Sequence, residues 1–186
     1  MDVIRKYYDD DVKRVMRIWY DGNIEAHDFI PAEYWDRNFS YVKHALSKNE
    51  VYVYEVNGYV VGFVGIDEGY IGGLFVDKDY RGTGIGTKLI EYVKERYDFF
   101  TLHVFENNYG AVTFYENRGL VKQSEDVHED LGEVEYLMAY RKKKKKDGEQ
   151  YKRRCYKAGR DTGHGRHNLQ SDRYPLQKPA CSHNRG

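Results

Sequence analysis

The chain has 186 residues, the size of one domain with room for an appendage. Its formal charge is zero, but residues 1–140 hold 15 Lys and Arg against 26 Asp and Glu, a net of −11, while residues 141–186 hold 15 against 4, a net of +11. The longest apolar run, Tyr59–Ile66, is far short of the roughly 20 residues that span a bilayer, and neither a secretory signal nor a body cysteine is visible (Cys155 and Cys181 both lie beyond residue 140), so a reduced, cytoplasmic setting is expected.

Val3–Tyr7 reads as a short strand, and Asp9-Asp10-Asp11 as the cap and acidic first turn of a helix. Val12, Val15, Met16 and Trp19 recur at i, i+3, i+4, i+7, one helical face, and Asp21-Gly22-Asn23 is expected to stop or kink that helix. The loop His27-Asp28-Phe29-Ile30 leads to Pro31 at the first position of a second helix, whose inner face carries Trp35, Phe39, Val42 and Leu46. Val51–Val56 and Tyr59–Ile66 flank Asn57-Gly58, a hairpin-turn pair.

Gly69–Val76 is apolar enough for a central strand, and Gly84–Tyr97 is an amphipathic helix with Ile85, Leu89, Val93 and Tyr97 on one side. Phe99–Phe105 is a further strand, and Gly110–Asn117 a short helix ended by Gly119. Leu120–Gln123 and Glu133–Tyr140 are the last strands. This order predicts an α/β (α+β) domain over residues 1–140, a mixed sheet with helices on its faces.

Composition changes sharply after residue 140. Arg141–Lys146 is six consecutive cations, and residues 147–186 contain no Val, Ile, Phe, Trp or Met. Such a segment has too little apolar surface to offset the entropy of ordering, so residues 141–186 are expected to be a disordered basic tail. Two readings stand: a polybasic arm for an acidic partner, or a non-native extension. Five consecutive lysines, Lys142–Lys146, are what an adenine-rich codon run encodes, and slippage there places everything downstream out of frame. Cys155, His164, His167, Cys181 and His183 match no compact zinc spacing, and no metal is expected.

The chemistry concentrates in two motifs. Arg81-Gly82-Thr83-Gly84-Ile85-Gly86 joins a strand to a helix. Its glycines let backbone N–H groups approach a ligand, the helix directs its positive end at the same point, and Arg81 adds a cation: an anion site suited to a diphosphate. Thr87 breaks both the dinucleotide pattern G-x-G-x-x-G and the Walker pattern, whereas Arg81, Gly84 and Gly86 fit R-x-x-G-x-G. Downstream, Asn108, Ala111, Tyr115 and Gly119 fit N-x-x-A-x-x-x-Y-x-x-x-G, with Leu120 where a Phe is usual. In this order the two motifs resemble the signature of the GCN5-related N-acetyltransferase (GNAT) superfamily across about residues 1–140. The loop at His27–Pro31 and the pair Tyr34-Trp35 look like those of small stand-alone bacterial members that acetylate protein lysines or small amines.

That resemblance implies a mostly antiparallel central sheet of six to seven strands with one splayed parallel pair, Gly69–Val76 beside Phe99–Phe105. It implies acetyl-CoA as co-substrate, its pantetheine arm along Leu74, Phe75 and Val76, its diphosphate on Arg81, Gly82, Thr83, Gly84, Ile85 and Gly86, and Asn108 against the arm. An amine attacks the thioester directly, which needs a base, oxyanion donors and an acid for the thiolate. Tyr115 matches the family's general acid. Gly72-Gly73 stand where relatives often carry a basic carboxylate, and Glu68 lies earlier; His103, five residues before Asn108, is the candidate base. His27, Phe29, Tyr34 and Trp35 are expected to wall the acceptor site.

The acceptor is expected to be a cationic amine, drawn by the acidic body, with a protein lysine among the candidates. Neither a membrane nor nucleic acid is expected as a partner, and the protein as a monomer or homodimer. Two rival readings are a catalytically inactive CoA-binding module, motivated by the missing strand carboxylate, and a tail-driven nucleic-acid binder, which the charge of the body opposes.

Overall fold

The computed structural model describes residues 1–143; the expectations for the basic tail fall almost wholly outside them. In chain order the elements are β1 (Asp2–Lys6), α1 (Val12–Ala26), α2 (Ala32–Leu46), β2 (Glu50–Val56), β3 (Tyr59–Asp67), β4 (Tyr70–Val76), α3 (Ile85–Arg96), β5 (Phe99–Phe105), α4 (Tyr109–Glu116), β6 (Val121–Val127) and β7 (Val134–Arg141), with single 3₁₀ turns at Asp9–Asp11 and Lys78–Tyr80. The strands form one sheet in the order β1-β2-β3-β4-β5-β7-β6. All neighbours are antiparallel except β4 and β5. Among the described residues no helix is long and apolar enough to cross a membrane.

Alternation along the strands builds two cores. Val51, Val53, Val60 and Phe63 pack with α1 and α2 through Val15, Met16, Trp19, Trp35 and Leu46. Tyr52, Tyr54, Val61 and Val64 pack on the opposite face with α3 and α4 through Ile85, Leu89, Ile90, Val93 and Tyr115. The helices therefore cover both faces, as expected. Asn57 and Gly58 turn the β2–β3 hairpin with φ of 50° and 86°, the left-handed pair that a two-residue loop requires.

Four differences from the sequence reading stand out. First, α1 does not stop at Asp21-Gly22-Asn23 but runs to Ala26. Gly22 is there for packing: a Cβ would lie 2.9 Å from Cδ1 of Phe75, so the glycine lets β4 approach the helix. Asn23 donates its Nδ2–H to the Trp19 carbonyl at 2.9 Å and so satisfies its side chain without leaving the helix. Second, Asp9–Asp11 is a separate 3₁₀ turn before α1. Asp11 accepts the Tyr8 N–H at 2.9 Å and two Arg5 N–H groups at 2.7 and 3.0 Å, which locks β1 to the helix entry. Third, Pro31 is not the first helical residue but the extended cap before it, and α2 begins one residue later than predicted, at Ala32. Fourth, β6 runs to Val127 through Lys122, Gln123, Ser124, Glu125 and Asp126, with an irregular register around Gln123. It is an exposed edge strand held by backbone pairing, so burial writes no alternation into its sequence. The ordered body also passes residue 140: Lys142 N–H still donates to the Asp98 carbonyl at 2.7 Å.

Candidate active site

The parallel pair β4–β5 is joined only at its start. Tyr70 pairs with Thr101 and Ile71 with Leu102; beyond them the strands run on to Val76 and Phe105 without a register. The parting coincides with a β-bulge. On the β3 side Gly65 faces Gly73 and Ile66 faces Ile71, so Gly72 is the extra residue, and a bulge bends a strand where pairing ends. Asp77 N–H donates to the Val61 carbonyl at 2.8 Å, so by antiparallel alternation Gly73 and Phe75 also face β3. The N–H and C=O groups of Leu74 and Val76 point the other way, into the gap, together with the His103 carbonyl and the N–H and C=O of Phe105 from β5; the His103 N–H is spent on the Ile71–Leu102 rung. Two of these are taken: Arg81 Nε–H donates to the Val76 carbonyl at 3.0 Å, and Asn108 N–H to the Phe105 carbonyl at 3.0 Å. The remaining groups need partners that an extended, amide-bearing chain supplies.

Gly73 is also fixed by packing. A Cβ there would sit 2.6 Å from Cε2 of Phe75, whose ring stacks on Phe63 with centroids 5.4 Å apart. The glycine at this position leaves room for a ring, whereas a Cβ at Gly72 would meet nothing within 4 Å.

The glycine-rich turn lies at the far end of the gap. Asp77 caps the 3₁₀ turn by accepting the Asp79 N–H at 3.0 Å, and Thr83 Oγ1–H donates to the Tyr80 carbonyl at 2.6 Å. Gly82 and Gly84 have φ of 77° and 86°, and Gly84 is the left-handed N-cap of α3. The first bond into the helix runs from Lys88 N–H to the Gly84 carbonyl at 3.0 Å, so the N–H groups of Ile85, Gly86 and Thr87 end at the helix mouth without intrahelical acceptors. Arg81 sits differently from the sequence expectation. Besides Val76 it binds Glu25 of α1 at 2.8 Å, so its charge is already countered and it pins the end of β4.

Asn108 caps α4: its Oδ1 accepts the Ala111 N–H at 3.1 Å. Its Nδ2 lies 3.2 Å from Nε2 of His27, and His27 Nδ1 lies 3.1 Å from the Asn23 carbonyl at the end of α1. Tyr115, on α4, is 8% exposed and has no hydrogen bond to its hydroxyl among the described residues. Burial, with Tyr70 nearby, pushes its phenol well above the ordinary tyrosine range, so it stays protonated at neutral pH.

His103 projects from β5 with its Nδ1 3.1 Å from the Tyr70 hydroxyl. Burial of that hydroxyl and the Glu135 carboxylate push Tyr70 up to about 12, against a smaller opposing effect of the His103 backbone N–H. His103 itself is exposed.

The four aromatic candidates form one cluster but are not equivalent. His27 and Trp35 are buried, 9% and 7% exposed, with rings 5.3 Å apart; Phe29 and Tyr34 are half-buried. The structure adds Phe105, which packs edge-on to His27 and Phe29, and His128 from the β6–β7 turn. His128 Nε2 lies 3.4 Å from the Tyr34 hydroxyl. Sequence reasoning missed His128 because the acidic turn around it carries no periodicity; the only trace was a lone histidine between acidic residues. Trp35 Nε1 and His128 Nδ1 are buried without a partner among the described residues. No group of three metal-ligating side chains is found among the described residues.

Three comparisons bear on this arrangement. Residues 12–120 match the profile of the acetyltransferase (GNAT) family. The chain is 31% identical over 119 residues to the peptidyl-lysine N-acetyltransferase YiaC of Escherichia coli K12, covering 63% of this chain and 82% of YiaC. It is 30% identical over 131 residues to the peptidyl-lysine N-acetyltransferase YjaB of the same strain, covering 69% and 88%. The solution structure of apo YjaB from Escherichia coli superposes with a TM-score of 0.69 at 27% identity, over 77% of this chain and 99% of that one.

Proposed function

The chain belongs to the acetyltransferase (GNAT) family and is an acetyl-CoA-dependent N-acetyltransferase; we propose that its acceptor is a lysine side chain on a protein, and that residues 1–140 are the catalytic domain of a cytoplasmic enzyme. The observation that carries this reading is the unpaired stretch of β4 and β5, open beside a helix N-terminus with free amides. The acceptor class rests on the names of the two relatives and on the body's charge of −11, which attracts an ammonium group.

In this reading the groups of Leu74 and Val76 facing the gap bind the amides of the arm, and their N–H groups donate to the oxyanion that forms on the thioester carbonyl, while Phe75 between them spends its backbone groups on β3 and only shapes the edge. The amides of Gly82, Thr83, Gly84, Ile85 and Gly86 bind the diphosphate. Arg81 holds the Val76 carbonyl and so sets the edge along which the arm lies. Asn108 presents its remaining N–H to the arm. Phe29 and Tyr34 face the acceptor, while His27 and Trp35 support them from behind.

A lysine reaches the site as an ammonium and must lose a proton before its nitrogen attacks the carbonyl carbon. His103, steadied by Tyr70, takes that proton directly or through water. The C–N bond forms, the C–S bond breaks, and of the two protons the ammonium gives up, one leaves through the base and one ends on the sulfur. Tyr115 serves the sulfur with its O–H, which a good leaving group needs only as a hydrogen bond.

The deciding experiment measures coenzyme A release from acetyl-CoA with lysine peptides, polyamines and aminoglycosides, using the full chain and a form ending at residue 143. Turnover led by lysine peptides in both forms is expected. Turnover only with small amines overturns the acceptor class, and binding without turnover of any amine favours an inactive binding module.

A further inference from the structure

One residue has a place in the site that neither the motifs nor the family explains: His27, buried between α1 and the N-terminus of α4. Its ring touches Asn23, Phe29, Trp35, Phe105 and Asn108, none of them titratable. The ionisable groups around it stand off its ring: Asp28 is the next residue and is exposed, Tyr34 packs on the far ring of Trp35, and His128 packs on Phe105. Both ring nitrogens are engaged, and the two partners leave one proton arrangement. The Asn23 partner is a carbonyl, so Nδ1 must carry the hydrogen and donate it. Nε2 is then a lone pair, and the group facing it at 3.2 Å is the Asn108 carboxamide nitrogen, which donates. Asn108 is oriented from both sides: Oδ1 toward the Ala111 N–H at the helix start, Nδ2 toward His27. One Nδ2–H is left over.

We propose that His27 is a positioning residue for coenzyme A binding: as the neutral Nδ1–H tautomer it fixes the Asn108 carboxamide, and with it the start of the helix that carries Tyr115. This rests on the acetyl-CoA reading of the gap. A second proton on His27 places N–H against N–H at Asn108, so the carboxamide must turn or withdraw, and it cannot turn without giving up the Ala111 cap. Burial disfavours that protonation and lowers the histidine's pKa. The device holds the site in one state at neutral pH and loosens it in acid.

The test compares the wild type with His27→Gln and His27→Phe. Gln keeps an acceptor near the Nε2 position; Phe keeps the ring and removes both hydrogen bonds. Coenzyme A affinity is measured by calorimetry between pH 5 and 8, with melting curves as a control on folding. His27→Phe is expected to weaken coenzyme A roughly tenfold at pH 7.5, and His27→Gln to recover most of that. Wild-type affinity is expected to fall more steeply toward pH 5 than that of the Gln variant, in which only the ligand's phosphate monoester titrates. Equal affinity in a folded Phe variant overturns the proposal, as does an equally steep fall in the Gln variant. If the Phe variant does not fold, the imidazole ¹⁵N shifts of the wild type decide: an Nδ1–H tautomer at His27 supports the proposal and an Nε2–H tautomer refutes it. A wild type that binds no coenzyme A refutes the reading of the gap as well, so the two failures are separable.

Discussion

The Tyr70 hydroxyl and the Nδ1 of His103 lie 3.1 Å apart across the last bonded rung between β4 and β5, where the two strands begin to part. The phenol thus steadies an exposed imidazole at the mouth of the gap. If His103 is the base, His103→Ala lowers kcat/KM with a lysine peptide by roughly 10²-fold and removes the acidic limb of the pH–rate profile. Tyr70→Phe, which only releases the ring, causes a smaller loss. A His103→Ala profile with the limb intact eliminates the base assignment.

Tyr115→Phe separates chemistry from folding. The hydroxyl it removes has no hydrogen bond among the described residues, so stability is expected to hold. The leaving group loses its hydrogen-bond donor, and kcat is expected to drop on the order of 10- to 100-fold at unchanged KM for acetyl-CoA. Steady-state thiol release checks both, and an unchanged kcat excludes the acid role.

Acid stability follows from His27 and two carboxylates. The folded pKa of His27 is depressed by burial, so below its ordinary value near 6.5 the unfolded chain binds a proton that the folded chain refuses. Stability is full above about pH 6.5 and declines as pH falls through the folded value. Asp11, held low by Arg5 and the Tyr8 N–H, and Asp77, held low by the Asp79 N–H and Arg14, extend the loss below about pH 4. Urea midpoints measured from pH 8 to pH 4 should show the first decline, and His27→Gln should delete it. A flat curve down to pH 5 contradicts this account of the histidine.

Neighbouring glycines on β4 should respond differently to alanine. A Cβ at Gly72 meets nothing within 4 Å, whereas at Gly73 it meets the Phe75 ring at 2.6 Å. Gly73→Ala is therefore expected to cost about 1–3 kcal/mol in denaturant unfolding, because the ring must leave its stack on Phe63. Gly72→Ala should stay within about 0.5 kcal/mol. Equal costs at both positions would show that the ring gives way freely.

Most of the architecture was legible because burial writes period into a sequence. Val12, Val15, Met16 and Trp19 announced α1, and Ile85, Leu89 and Val93 announced α3, since each set must face a core. Where burial was absent the signal failed: β6 pairs through its backbone with polar side chains outward, and its strand ran past the expected end. Where a local rule met a tertiary demand the rule lost. Gly22 was read as a stop but serves to admit the Phe75 ring, and a helix that gains such a contact continues through a glycine.

The sequence by itself determined the family, and it singled out the glycine turn and Tyr115 as candidates, because glycine, asparagine and tyrosine at those spacings answer to backbone geometry that travels with the motif. Only the tertiary structure decided that Arg81 is paired with Glu25, that His27 and Trp35 are buried while Phe29 and Tyr34 are half-buried, and that His128 packs with Tyr34 and Phe105. Those relationships depend on which distant side chains meet once the chain is packed, and no spacing along the chain encodes a distance across it.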